Sequence, residues 1–155
     1  MINNVIKKCN VMLKEKDIND VRFEEKDEEI LVYADEFYME QAFTNYLTNA
    51  IKHIKTINDE RYIEIKVNEN KENNKVRLSV FNTGETLSEE NLERIWKRFY
   101  KVDSSRNRAD GGTGIGLSLV KAIMNNYKSN YGVENKNNGI EFYFEIPKKE
   151  KNKKK

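Results

Sequence analysis

Gly111-Gly112-Thr113-Gly114-Ile115-Gly116-Leu117 is a glycine loop that feeds straight into a helix. Leu117, Val120, Ile123, Met124 and Tyr127 follow at helical spacing, which predicts a helix starting near Gly114. A helix N-terminus presents unpaired N–H groups and a partial positive charge, an arrangement that suits a phosphate. Four glycines in six positions remove the Cβ atoms that would hold phosphate oxygens away from those groups. Other glycine loops fail on context. The Walker pattern ends in Gly-Lys-Ser/Thr, whereas Gly116 precedes Leu117 and Ser118. A dinucleotide fingerprint needs a strand just before it, and Asp103–Asp110 is too polar for a buried strand. No Val-Ala-Ile-Lys strand follows, so a protein-kinase glycine loop is excluded as well.

Outward from the loop, the chain alternates between two periods. Residues 2–15 read as an amphipathic helix with Ile2, Val5, Ile6, Cys9, Met12 and Leu13 on one side. Val21–Phe23 and Ile30–Tyr33 read as strands joined by the acidic turn Glu24–Glu28, and Asp35 or Glu36 opens a helix to about Ile54. Tyr62–Val67 and Val76–Phe81 alternate as strands around a charged turn, and Ser88 caps a short helix through Trp96. Tyr131–Glu134 and Ile140–Ile146 form a hairpin around Lys136-Asn137-Asn138-Gly139, and Pro147 ends the fold. Helices gathered on one side of a mostly antiparallel, mixed sheet give an α+β, two-layer sandwich over residues 1–147.

Within Asp35–Ile54 the apolar positions Met39, Phe43, Tyr46, Leu47, Ala50 and Ile54 mark a buried stripe. Gln41, Asn45, Asn49 and Lys52 stack on the opposite face. Two amide oxygens and an ammonium in a row match the needs of Mg²⁺ and a triphosphate, with the amides as neutral oxygen ligands and the lysine as a point charge. Asparagine is common here, 21 of 155 residues, so a merely solvated polar face is the competing reading.

Four motifs taken in order decide between them. Glu40–His53 resembles the N box of histidine-kinase ATP-binding domains. Asn82-Thr83-Gly84 resembles their first glycine box, Arg94–Lys101 their F box, and Gly112–Leu117 their second glycine box. Phe99–Asp103 with Ser105-Arg106 is similar to the Gram-positive branch that includes vancomycin-resistance sensors. The resemblance implies a Bergerat fold that binds ATP and Mg²⁺ between the N-box helix and a mobile lid. It implies Asn49, helped by Asn45, on Mg²⁺ and the phosphates, with Lys52 on a phosphate. It puts Asn82 and Gly84 at the adenine, and Tyr100, Lys101 and Arg106 or Arg108 near the phosphates. The second box, Gly112, Thr113, Gly114, Ile115, Gly116 and Leu117, closes the nucleotide site and hinges the lid. Trp96 and Phe99 are expected as core anchors.

Two departures qualify this assignment. Asn82 stands where the family usually carries a carboxylate that accepts from the adenine amino group; an amide oxygen still accepts, without charge assistance. Thr86 replaces the second glycine of its box. The implied activity is transfer of the ATP γ-phosphoryl group to a histidine on a separate dimerisation hairpin of the same kinase, with a response regulator downstream. His53 lies inside the N box, so the chain reads as an excised catalytic domain, monomeric without that hairpin. The alternatives are a hydrolase of the gyrase, heat-shock-ninety and mismatch-repair group, a related serine kinase, or a nucleotide-binding module without catalysis. The hydrolases place a glutamate at the position of Asn45 to activate water, and Asn cannot accept that proton.

Composition bounds the rest. Residues 148–155 hold six lysines and one glutamate, so the formal charge of +2 conceals an acidic body and a basic segment read as a disordered tail. Nucleic-acid binding by the folded part is therefore not expected. Cys9 is the only cysteine, so no internal disulfide forms, and His53 is the only histidine, which excludes a multi-histidine metal site. No stretch approaches the roughly 20 apolar residues of a membrane span. The expected setting is the cytoplasmic domain of a membrane-bound sensor kinase, making no membrane contact itself.

Overall fold

The computed structural model describes residues 1–100 and 116–151. Helices α1 (Ile2–Lys8) and α2 (Asn10–Glu15) precede strand β1 (Val21–Phe23), the long helix α3 (Glu36–His53), and strands β2 (Ile63–Asn70) and β3 (Lys75–Thr83). Helices α4 (Glu89–Arg94) and α5 (Gly116–Asn126) and strands β4 (Tyr131–Lys136) and β5 (Gly139–Pro147) complete the chain. The sheet order is β1-β2-β3-β5-β4, with β1 parallel to β2 and every other pair antiparallel.

Local chemistry sets the element ends. The Asp35 carboxylate accepts from the Phe37 N–H at 2.8 Å and satisfies a donor of the first turn of α3. Ser88 does the same for α4 through the Asn91 N–H at 3.2 Å. The predicted first helix is interrupted at Cys9, and the Arg61 guanidinium donates to the carbonyls of Lys16 and Asp17, both at 2.7 Å, just beyond α2. In the hairpin between β4 and β5, Asn138 takes a left-handed conformation with φ 65°, which asparagine tolerates.

The core lies between the helices and one face of the sheet. Phe43, Tyr46, Leu47 and Ile51 of α3 are fully buried, together with Ile63, Ile65 and Val80 of the sheet and Val120 and Met124 of α5. Tyr46 stands at its centre. Its ring lies 5.4 Å from Phe142, 5.8 Å from Phe144 and 6.5 Å from Trp96, and its hydroxyl donates to the Tyr143 carbonyl at 3.0 Å.

Three expectations change. Ile30–Tyr33 is not a strand of the sheet; a single antiparallel bridge joins Val32 to Lys148, just past the end of β5. The fold does not end at Pro147, since the Lys148 N–H donates to Asn74 at 2.9 Å and the Lys149 N–H to Leu31 at 2.8 Å. The Lys148 ammonium also pairs with Glu69. Phe99 is not a core anchor: it is 66% exposed, on a left-handed backbone with φ 63°, whereas Trp96 is buried as expected.

Candidate functional site

The polar face of α3 stands as its periodicity requires. Seven residues of the helix are buried on one side, while Gln41, Asn45 and Asn49 are half-buried and Lys52 is exposed. Neither the Asn45 nor the Asn49 side-chain amide is hydrogen-bonded to another described residue, so both remain available to a ligand. Packing of α5 against α3 brings the second glycine box to this face. A Cβ built on Gly116 would lie 3.2 Å from Asn45 Oδ1. The two helices run antiparallel, since the Asp35 N–H at the start of α3 donates to the hydroxyl of Tyr127, just past the end of α5, at 3.0 Å. Leu117 packs its side chain against the core.

The first glycine box forms the floor. Asn82 lies on central strand β3, one alternation beyond Val76, Leu78 and Val80, so it projects from the helix-covered face and is 1% exposed. Its Nδ2 donates to the Thr83 carbonyl at 3.1 Å, and its Oδ1 is buried with no hydrogen-bond partner among the described residues. Because the Thr83 carbonyl can only accept, it holds the amide with nitrogen toward itself and oxygen away. An unpaired buried acceptor costs roughly 1–3 kcal/mol, so this oxygen calls for a partner such as a water or a ligand. The same carbonyl accepts from the Lys55 N–H at 2.9 Å, while Thr83 Oγ1 accepts from the Tyr62 N–H at 3.1 Å. These bonds tie Asn82 to the end of α3.

Close approaches explain two glycines around Asn82. A Cβ on Gly84 would stand 2.9 Å from the His53 carbonyl, so glycine lets β3 end against the C-terminus of α3. Gly139 on β5 is tighter, its Cβ falling 2.1 Å from the Asn82 carbonyl oxygen. Sequence reasoning used Gly139 only as a turn residue. Nothing local to Lys136–Gly139 signals that the neighbouring strand is Asn82's.

On the remaining side, the segment after β3 is fastened to β4. The Leu87 N–H donates to Asn135 Oδ1 at 2.9 Å, and Asn135 Nδ2 donates to the Leu87 carbonyl at 2.8 Å. Tyr100, expected near the phosphates, donates its hydroxyl to Asn91 Oδ1 and is thereby held to α4. Asn135 and Asn91 escaped sequence analysis because nothing separates them from the other asparagines. Lys101, Arg106, Arg108, Gly112, Thr113, Gly114 and Ile115 lie outside the described residues.

Among the described residues no group of three or more His, Cys, Asp or Glu side chains could hold a metal. The donor set of Asn45 and Asn49 is two neutral amide oxygens. That fits Mg²⁺ carried largely by phosphate and water, and does not fit a tightly held protein-only metal. Also among the described residues, no helix is long and apolar enough to cross a membrane.

With this geometry in place, residues 34–150 match the family described as histidine kinase-, DNA gyrase B-, and HSP90-like ATPase, and the chain belongs to that family. It is 37% identical over 117 residues to the sensor histidine kinase YkoH of Bacillus subtilis, covering 76% of this chain and 24% of that protein. It is 30% identical over 121 residues to the phosphate regulon sensor protein PhoR of Haemophilus influenzae, covering 77% of this chain and 27% of that one. The chain thus spans about a quarter of the curated relatives it matches. A solved catalytic domain of histidine kinase ThkA superposes with a TM-score of 0.72 at 33% identity, covering 94% of this chain and 91% of that chain. The full-length kinase ShkA, solved with AMPPNP, gives a TM-score of 0.76 at 23% identity, covering 94% of this chain and 29% of that one. The domain is therefore the ATP-binding catalytic domain of the sensor-histidine-kinase type.

Proposed function

We propose that this domain binds Mg-ATP between the polar face of α3, Asn82 and the start of α5, and that the γ-phosphoryl group passes to a histidine on a separate helical hairpin of the same kinase. The observation that carries this reading is the unpaired Oδ1 of Asn82, a buried acceptor beside the end of α3, suited to the amino group of adenine. Asn45 and Asn49 offer amide oxygens toward Mg²⁺ and Lys52 a charge toward a phosphate. When bound, Mg²⁺ supplies charge neutralisation on the phosphate oxygens. The protein's part is positioning, with the triphosphate laid along α3 and its phosphates close to the α5 N-terminus beside Asn45. The resemblance also assigns Tyr100, Lys101, Gly112, Thr113, Gly114 and Ile115 to this nucleotide.

The acceptor hairpin and a response regulator are the proposed partners, and the cytoplasm the proposed setting. Support for the regulator comes from ThkA, solved in complex with the response regulator protein TrrA, whose structure superposes with a TM-score of 0.72 at 29% identity. Transfer to histidine rather than hydrolysis follows from Asn45, which is no general base. Titration with Mg-ATP, followed by phosphotransfer to a supplied histidine hairpin, tests the proposal. Asn49→Ala should lose phosphotransfer by more than Lys52→Ala does, with the thermal midpoint unchanged because Asn49 is outside the core. Unchanged transfer in Asn49→Ala would remove it from the site. ATP hydrolysis at roughly 1 per second or faster by the chain alone would favour the hydrolase reading.

A further inference from the structure

Ile63, Asn82, Ile140 and Asn135 form one row across the sheet, each directly opposite the next on β2, β3, β5 and β4. Directly opposite residues share a face, here the helix-covered one, since Ile63 and Ile140 belong to the core. Asn82 and Asn135 therefore stand on the same face, two strands and roughly 10 Å apart, twice the usual strand spacing. The chain that leaves β3 after Asn82 crosses the turn end of the β4–β5 hairpin to span that distance. The Gly84 N–H donates to the Asn138 carbonyl in the turn at 3.0 Å. Leu87 then reaches Asn135, its N–H donating to Oδ1 at 2.9 Å and its carbonyl accepting from Nδ2 at 2.8 Å.

Few other contacts hold this segment. The backbone of Glu85 and Thr86 makes no hydrogen bond to another described residue. The Lys55–Glu85 ion pair is exposed on both sides, and such pairs contribute little. Helix α4, which follows directly, has six residues and buries none of them. Full burial resumes only at Ile95 and Trp96. Between Gly84 and Ile95 the chain is held by the Leu87 side chain, half-buried against the core, by the two bonds to Asn135, and by the Tyr100 hydroxyl on Asn91. Of these, only Leu87 and Asn135 act on the stretch beside Asn82. A primary amide offers an acceptor and a donor as a peptide unit does, so Asn135 serves Leu87 as one rung of a ladder. Turned over, it would set oxygen against carbonyl and NH₂ against N–H, so its orientation is fixed.

We propose that Asn135 is a positioning residue of the nucleotide site: by pairing with Leu87 it holds residues 84–87 as a fixed wall beside Asn82. Asn135 acts through that segment and not on the ligand, and its role rests on the nucleotide reading above. A wall fixed in advance spares the ligand the entropy of ordering it. Two measurements on the full chain test this, amide exchange without ligand and titration with Mg-ATP. In the ligand-free chain, Asn135→Ala should speed exchange of the Leu87 amide proton about tenfold or more. The thermal midpoint should fall by no more than about 2–4 °C, since the Asn135 side chain is exposed. Mg-ATP affinity should fall about fivefold to tenfold. That loss should shrink to less than about twofold in a chain already carrying Asn82→Leu, because the wall serves ATP only while Asn82 holds the base. Unchanged exchange at Leu87 in Asn135→Ala would overturn the proposal. So would parent-like Mg-ATP affinity in Asn135→Ala while Asn82→Leu weakens ATP, and that result leaves the nucleotide reading standing. Equal losses with and without Asn82→Leu would place the effect away from the base and sink the proposal too. A parent chain that binds no Mg-ATP overturns the reading and the proposal together.

Discussion

At the scale of one residue, the proposed adenine contact turns on Asn82. Its amide is locked by the Thr83 carbonyl, so Oδ1 faces the site as a neutral acceptor. Adenine offers an amino donor there, whereas guanine offers an oxygen that would oppose it, and ATP is expected to bind more tightly than GTP. Asn82→Leu removes the acceptor and should weaken ATP by about fivefold to tenfold, on a net hydrogen-bond worth of roughly 1 kcal/mol. Asn82→Asp should tighten ATP relative to GTP by a few-fold to tenfold, because hydrogen bonds to charged groups are worth about 1.5–3 kcal/mol, less the desolvation of the carboxylate. Titrating both nucleotides against the three chains checks this, and ATP binding by Asn82→Leu equal to the parent's would show that Asn82 does not read the base. The position of Asn82 at the end of an alternating strand was legible in the sequence, and its proposed role rests on the family resemblance. Its locked orientation was not legible, because that depends on the Thr83 carbonyl, itself set by a bond from Lys55 across the fold.

At the scale of elements, α3 and the β4–β5 hairpin carry the proposed site. Helix α3 was readable to within a residue at each end, since its cap, stripe and polar face all repeat at one period. Asp35→Ala should cost about 1 kcal/mol, seen as a fall of about 2–4 °C in the thermal midpoint. A loss within error would mean that the Tyr127 hydroxyl on the Asp35 N–H already holds that end. The hairpin contributes through Gly139, where even one methyl group would meet the Asn82 carbonyl. Gly139→Ala should destabilise the fold by about 1–3 kcal/mol as overpacking and weaken ATP binding, whereas a solvent-facing control such as Asn137→Ala should do neither. Denaturation in parallel with nucleotide titration separates the two effects. Ile30–Tyr33 was misread for an element-scale reason. Its apolar run has the composition of a strand, but it meets only the few residues at and just past the end of β5, through the Val32–Lys148 bridge and the bonds to Pro147 and Lys149, which is too short a ladder to make a strand.

Across the whole molecule, the outer face of the sheet is held by a charged cluster remote from the nucleotide site. The Arg77 guanidinium lies 3.8 Å over the Tyr143 ring and donates to Glu145 Oε1 from Nε at 3.0 Å and Nη2 at 2.8 Å. Asn130 donates to the other oxygen at 3.1 Å. Burial opposes ionisation of Glu145, but hydrogen bonds from Asn130 and Arg77 outweigh it and hold the carboxyl below its usual range. A depressed folded-state pKa stabilises the fold above the unfolded value of about 4.3, and the contribution disappears as pH falls through the lower folded value. Glu145→Gln should cost about 1–3 kcal/mol near neutrality and flatten the loss of stability between about pH 5 and 3. Urea denaturation across that range is the measurement, and an unchanged acid slope would remove Glu145 from the balance.

Periodicity and short motifs read from the sequence alone determined the two-layer α+β class, the extent of α3 and the polar face that carries Asn45, Asn49 and Lys52. Each of these is encoded by neighbours within one or two turns, because helix faces, strand alternation and caps are local physics. Only the tertiary structure decided that Gly116 meets Asn45, that Gly139 meets Asn82, that Tyr100 pairs with Asn91 and that Phe99 turns to solvent. Those contacts join segments 9 to 71 residues apart or depend on which surfaces others have already covered. Sheet order and helix packing set them, and no local spacing in the chain records either.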